Sequence, residues 1–177
     1  MGVSRLVKKA KKGNKEALLK LIMDQKDDYY RLAYTYMGNE HDAMDAMEDM
    51  IVRLYENIHQ LRGDNAFYSW SKTILVNSCK LLLKQRKKVV FVEDWDVQIK
   101  DDHVHEPSII SDQQLDIQQL LTTINEHQAE AIKLKYFHDL DYQSISEITN
   151  TPVGTVKSRI FEGLRKLRSR YGGDIDG

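Results

Sequence analysis

Apolar residues recur at helical spacing along most of this chain. Over 15–37 they fall at Leu18, Leu19, Ile22, Tyr29, Leu32, Ala33 and Tyr36, which predicts a helix stopped by Gly38-Asn39. Over 41–61 the pattern is clearest. At 100° per residue, Met44, Met47, Ile51, Leu54 and Tyr55 share one arc of about 100°, with Asp42, Asp45, Asp49, Arg53 and Glu56 opposite. The apolar arc is read as core. Gly63-Asp64 breaks the pattern, and 66–85 resumes it with Phe67, Trp70, Ile74, Leu75, Leu81 and Leu82, closing on the basic run Lys84 to Lys88. From 89 to 110 periodicity lapses: a short β-branched stretch from Val89 to Val92 is followed by acids and Pro107, which reads as a linker. Beyond it, Ser111-x-x-Gln114 has capping-box spacing ahead of Leu115, Leu120, Leu121 and Ile124. Asn125-x-x-Gln128 repeats it before Ala131, Ile132, Leu134 and Phe137.

The end of the chain is the most specific part. His138-Asp139-Leu140 predicts a short turn after a helix ending at Phe137. Asp141 can cap a helix whose inward residues are Tyr142, Ile145 and Ile148. Thr151-Pro152 then supplies an N-cap and a proline at the first helical position. The last helix runs to about Arg170 with Val153, Val156, Ile160, Leu164 and Leu167 inward. Helix, tight turn and a basic second helix predict a helix-turn-helix, whose second helix enters a DNA major groove. Its early residues Thr155, Lys157, Ser158, Arg159 and Glu162 are the candidates for base edges, and Arg165, Arg168 and Arg170 suit phosphates.

Composition narrows the class. The chain has 177 residues with only 2 Pro and 9 Gly, which fits an all-α fold better than a turn-rich sandwich. No apolar run reaches the ~18 residues of a membrane span, and no signal-peptide core follows Met1, so a cytoplasmic location is expected. A single cysteine, Cys79, excludes an internal disulfide and a cysteine-cluster zinc site, and its apolar surroundings point to an inert thiol. The pattern therefore predicts two small helical domains, 1–88 and 111–177, the second a helix-turn-helix, joined by a flexible acidic linker over 89–110.

The formal net charge of −1 argues at first against a nucleic-acid partner. Sorted along the chain it does not: segments 1–20, 21–61, 62–88, 93–126 and 152–171 carry +6, −6, +6, −8 and +5. Two of the basic segments, 62–88 and 152–171, flank an acidic one, as expected of two contacts with a polyanion joined by a strap that it repels. Segment 62–88 also sets aromatics beside cations, a composition suited to unpaired bases. Phe67, Tyr68 and Trp70 are expected to be mostly core, leaving Asp64 to Ala66 and Asn77 as the better base contacts. No nucleophile, base and orienter set is present, so no catalytic residue, cofactor or small-molecule substrate is expected. His103-x-His105 with Asp101, Asp102 and Glu106 lies in the linker and is read as solvated side chains, so no metal site is expected.

Three segments together resemble one family. Arg62-Gly63-Asp64-Asn65-Ala66-Phe67-Tyr68-Ser69-Trp70 with Ile74 and Asn77, the acidic helix Asp42-Ala43-Met44-Asp45-Ala46-Met47-Glu48-Asp49, and Pro152-Val153-Gly154-Thr155-Val156-Lys157-Ser158-Arg159 are similar, in order and spacing, to the extracytoplasmic-function sigma factors of bacterial RNA polymerase, of the sigma-70 family. The resemblance implies that the first domain binds the clamp helices of core polymerase through Asp45, Glu48, Asp49 and Arg53. It implies that Asn65, Ala66, Phe67 and Asn77, with Lys80 of the same basic segment, meet the opened −10 strand, whose flipped base exposes its edge. The second domain would read the −35 duplex through Thr155, Lys157, Ser158, Arg159, Glu162 and Arg165. It also implies an anti-sigma factor as partner, commonly membrane-bound. The chain departs from the family at Glu48, usually Gln, at Ser71-Lys72-Thr73, at Ile124-Asn125, and at Glu162, usually Arg. The alternative is a stand-alone helix-turn-helix regulator of duplex operators, which has no need of segment 62–88.

Overall fold

The computed structural model describes residues 2–92 and 112–171, with side chains for 2–87 and 117–170. The chain divides into two compact units, Met1–Val104 and His105–Gly177. Among the described residues every regular element is helical. The histidine cluster of the linker, the acids of 93–106 and the cap at Ser111 lie outside the described residues.

The first unit is built from α1 (Val3–Lys11), α2 (Lys15–Asp24), α3 (Lys26–Met37), α4 (Glu40–Asn57) and α5 (Phe67–Val92). Two 3-10 turns, Ile58–Gln60 and Asp64–Ala66, join the last two helices. The helix expected over 15–37 is two helices, because the chain leaves helical geometry at Gln25 (φ −122°, ψ 20°). Helix α1, which the periodicity did not single out, docks through Leu6, Val7 and Ala10. Asn14 and Asn39 cap α2 and α4 by accepting from the Ala17 and Asp42 amides. Gly38 ends α3 in the left-handed region at φ 81°.

Helix α4 buries a different face from the one expected. Ala43, Ala46, Met47, Met50 and Leu54 are inward, while Met44 and Tyr55 are exposed. The buried stripe is rotated by roughly 75° from the arc of large apolar residues. Two alanines at the contact let α3 and α5 approach closely, so small residues occupy the seam and bulky ones are left outside. Asp42, placed on the solvent arc by the pattern, is instead buried. Its carboxylate takes both terminal nitrogens of Arg86 on α5, and the Asn39 amide also donates to it at 2.5 Å. Helix α5 itself runs on to Val92, so the β-branched stretch Val89 to Val92 continues the helix rather than opening the linker. Tyr29 of α3, fully buried, shares a 2.7 Å hydrogen bond with Ser71 of α5.

The second unit comprises α6 (Asp112–Leu121), α7 (Glu126–Ile132) continued by a π-helical turn Lys133–Phe137, α8 (Tyr142–Thr149) and α9 (Val153–Tyr171). Asn125 caps α7 through the His127 amide, 2.8 Å. Gln128 does not complete a capping box, since its side chain accepts from Lys166 of α9 instead. The buried face of α9 is Val156, Ile160 and Gly163 rather than Val156, Ile160 and Leu164. A Cβ on Gly163 would come within 2.7 Å of Ile132 Cδ1 and 3.2 Å of Gln128 Cβ. The glycine sets how closely α7 and α9 approach, and Leu164 is turned out toward water as a result.

Candidate nucleic-acid interface

The connection between α8 and α9 is held tightly. Asp141 caps α8 by accepting from the Ser144 amide at 2.7 Å, and that hydrogen bond holds its carboxyl below the usual aspartate range. Asn150 closes α8 in the left-handed region at φ 52°, a conformation that asparagine tolerates better than most residues. Thr151 donates its amide to the Ser146 carbonyl at 3.1 Å and accepts from the Ser146 hydroxyl at 2.5 Å. The Pro152 carbonyl accepts from Val156, so α9 starts one residue later than Thr151-Pro152 predicted. Helix, fixed three-residue turn and helix make a helix-turn-helix, with α9 in the place of the recognition helix.

On α9 the direction opposite Val156, Ile160 and Gly163 is occupied by Gly154, Ser158, Phe161, Glu162 and Arg165, all within roughly 60° of it. Lys157 flanks this face on one side, and Thr155 and Arg159, both half-buried, lie toward the other. Six expected residues thus share one helix, but not one narrow stripe. Phe161 is 66% exposed. The sequence reading passed over it, although a large apolar residue off the buried period is the signal that would have found it. Such a ring can lie against a thymine methyl in the major groove. Glu162 accepts from Arg165 at 2.7 and 3.1 Å, so acid and base on this face are already paired in the absence of DNA. Tyr142, expected inward, is half-buried, with Lys135 and Lys157 over its ring at 4.6 and 5.3 Å. Ser144 takes the inward position instead.

In the first unit the outward side of α5 carries Trp70, Thr73, Asn77, Lys80 and Lys84, spaced i, i+3, i+7, i+10 and i+14. The opposite side packs Phe67, Ser71, Leu75 and Cys79. Asn77 is exposed and Lys80 half-buried, its ammonium 5.8 Å from the Tyr36 ring centre. Thr73 and Lys84 complete the stripe and were missed, though the helical spacing from Asn77 contains them. Phe67 is a correction: it is fully buried against Tyr68 and Trp70, so its ring is core and cannot meet a base. Asn65 is exposed and Ala66 half-buried in the 3-10 turn before α5, which follows Gly63 at φ 78°. That turn is tied to α1, since Asp64 accepts from Ser4 and pairs with Lys8 and Lys11. Cys79 is buried, and burial pushes its thiol up to about 12, which leaves no thiolate at neutral pH.

The outer side of α4 holds Asp45, Glu48, Asp49 and Arg53 beside the exposed Met44, Val52 and Tyr55. Arg53 donates to Asp49 at 2.7 Å. Acidic groups interleaved with exposed apolar ones suit a protein partner better than a nucleic acid. His41, Asp42 and Asp45 could bring three ligand atoms within 4.8 Å of one another. Both Asp42 oxygens, however, already bind Arg86.

These features define a two-unit helical protein with a helix-turn-helix in one unit and a polar, partly basic helix stripe in the other. Residues 21–89 match the model of sigma-70 region 2, and residues 114–167 match that of sigma-70 region 4. The chain is 29% identical to RNA polymerase sigma factor SigV of Bacillus subtilis over 90% of its own length and 94% of that protein. To the ECF RNA polymerase sigma factor SigW of the same organism it is 28% identical, over 96% and 97%. Among solved structures, CnrH superposes with a TM-score of 0.68 at 17% identity, covering 97% of this chain and 98% of that one. RpoE of Bartonella quintana superposes with a TM-score of 0.66 at 22% identity, covering 88% and 96%.

The chain belongs to the extracytoplasmic-function sigma factors of the sigma-70 family. It is accordingly an RNA polymerase sigma factor, which directs transcription initiation at promoters, and the alternative of a stand-alone helix-turn-helix regulator is not favoured.

Proposed function

We propose that the two units divide promoter recognition as the sequence suggests, with the first domain extended from 1–88 to 1–92 by the helical course of Val89 to Val92, a linker at 93–110 and a second domain at 111–177. Helix α9 reads the −35 duplex, with Ser158, Phe161, Glu162 and Arg165 toward the groove and Lys157, Thr155 and Arg159 on its flanks. The observation that carries this reading is the exposed face of α9 set opposite Val156, Ile160 and Gly163. Asn65, Ala66, Asn77 and Lys80 serve the opened −10 strand, joined by Thr73 and Lys84 of the same stripe. Phe67 contributes by supporting the helix from within. Asp45, Glu48, Asp49 and Arg53, with Met44, Val52 and Tyr55, meet the polymerase clamp helices. The chain works in the cytoplasm as a non-enzymatic specificity subunit that takes its chemistry from polymerase.

CnrH is known in complex with the cytosolic domain of CnrY, and RpoE of Bartonella quintana in complex with the anti-sigma factor NepR. An anti-sigma factor is the corresponding partner for this chain, and the exposed apolar residues of α4 and α9 are surfaces it can cover. The test is reconstitution with core polymerase on a promoter library randomised at −35 and −10. Selective transcription is expected, and Lys157→Ala or Arg159→Ala should weaken −35 binding by ~1–3 kcal/mol. Inactivity across the library would overturn the reading, and unchanged promoter choice in both variants would reject the α9 assignment.

A further inference from the structure

We infer that α1 is a positioning element for the −10 strand, acting on the Gly63–Ala66 turn through Asp64. This inference rests on the proposed role of that turn. Its α1 residues, Ser4, Lys8 and Lys11, lie outside the 21–89 match to sigma-70 region 2, and the two lysines stand in the sequence only as part of a basic block.

Helix α1 is held against the unit by Leu6, Val7 and Ala10. Ser4, Lys8 and Lys11 are spaced i, i+4 and i+7, so they form one stripe along the helix. That stripe meets a single acid. The Ser4 hydroxyl donates to Asp64 Oδ2 at 3.2 Å, Lys11 Nζ lies 3.4 Å from Oδ1, and Lys8 Nζ lies 3.9 Å from Oδ2. Asp64 is the only acid of segment 62–88. Its side chain is 20% exposed and that of Lys11 28%, so this is a sheltered contact, with Lys8 its solvated edge.

Asp64 is the first residue of the 3-10 turn that presents Asn65 and Ala66, and it follows Gly63 at φ 78°. A turn entered through a left-handed glycine has few contacts of its own to fix its direction. One internal bond, from the Ala66 amide to the Gly63 carbonyl, closes it at 3.1 Å. The Ser69 hydroxyl donates to the Ala66 carbonyl at 3.1 Å and ties the end of the turn to α5, while the triple contact from α1 fixes its start and so sets where Asn65 and Ala66 stand relative to Asn77. Lys11, one of the cations behind the +6 of residues 1–20, thereby has an internal task, with Lys8 at its edge.

The experiment uses the full chain with core polymerase on a promoter pre-melted around −10. It compares the cognate −10 sequence with single-base variants, and −35 preference is measured on the same preparations. Asp64→Asn and Lys11→Glu are each expected to lower −10 discrimination about threefold to tenfold while −35 preference stays unchanged. The exchanged pair Lys11→Glu with Asp64→Lys is expected to recover most of the loss. A folding defect confined to the first unit would also leave −35 preference unchanged, so circular dichroism melting of each variant provides the check. Unchanged discrimination in Asp64→Asn would overturn the inference. So would an exchanged pair no better than its single variants, the result expected if Lys11 acts on DNA directly. If the wild-type chain itself shows no −10 selectivity, the role proposed for the turn fails and this inference fails with it. Selectivity in the wild type that Asp64→Asn retains overturns this inference alone.

Discussion

Replacing Asp42 by Asn tests the buried link between α4 and α5. The Asp42 side chain is 9% exposed and its carboxylate is held chiefly by Arg86, which lowers its pKa to about 2. Holding a carboxyl there rather than near 4 corresponds to roughly 2.5 kcal/mol between its ionised and protonated forms. Removing one partner of a fully buried pair costs about 3–5 kcal/mol, because the other charge is stranded. Arg86 is not stranded, since 47% of its side chain reaches water, and the same exposure screens the pair. The expected loss is therefore about 1–2 kcal/mol at pH 7. The sign with pH follows from the depressed folded value. The contribution is complete above about pH 5 and is lost as pH falls toward 2, with roughly half gone at pH 3. Urea unfolding in a Trp95→Phe background, where Trp70 alone reports the first unit, measures it at pH 7, 5, 4 and 3. The gap between wild type and Asp42→Asn should close across the acid range. A gap that stays flat from pH 7 to 3, or no loss at pH 7, would refute the reasoning.

Gly163→Ala gains about 1 kcal/mol of helix propensity but forces a methyl against Ile132 and Gln128. Overpacking of about 1–3 kcal/mol should prevail, giving a net loss in the melting of the second unit. Asp141→Ala removes the α8 cap and should cost about 1 kcal/mol by the same measurement. Because the folded Asp141 carboxyl sits below its usual range, this cost should vanish as pH falls through that lowered value. Asn77→Ala should leave closed promoter binding intact while reducing −10 opening, which permanganate footprinting separates. Glu162→Arg breaks the pair with Arg165 and should shift −35 preference. Unchanged selection from a randomised −35 library would argue that this face does not read bases.

Much of the second unit was legible because its signals are local. The Asp141 cap, the inward Ile145 and Ile148, and the turn before α9 each depend on residues within a few positions. What misled was residue size. Leu164 was taken as core because it is large and in period, whereas Gly163 lies at the seam because α7 comes close there. The same substitution of small for large occurs on α4, where Ala43 and Ala46 displace Met44 and Tyr55 from the core. A hydrophobic period locates a helix, but its packed face is set by how near the neighbour approaches. The break at Gln25 and the helical course of Val89 to Val92 carry no glycine or proline, so no local breaker marked them. Among the residues proposed for the interface, the asparagines and lysines stand out in the sequence by charge and polarity. The exposure of Phe161 was not legible, because an exposed aromatic looks like a core residue until its angle on the helix is known.

The charge pattern needs a similar correction from long-range contacts. Counted by segment, 62–88 at +6 and 152–171 at +5 look like two surfaces offered to a polyanion, and 1–20 adds a further +6. Lys8 and Lys11 of 1–20 are turned onto Asp64 of 62–88. Arg86 of 62–88 is bound by Asp42 of the acidic block 21–61. Charges that alternate along the sequence thus partly pair across it, and the cations left facing outward are fewer and more localised than the totals suggest. For the −10 role proposed for α5 the consequence is specific. The outward stripe of α5 offers Lys80 and Lys84 beside Asn77, a modest positive field next to a hydrogen-bonding side chain, rather than a uniformly basic surface. A field of that size favours a strand without holding any sequence tightly, so under the proposed role choice falls to the geometry around Asn77 and the Asn65–Ala66 turn.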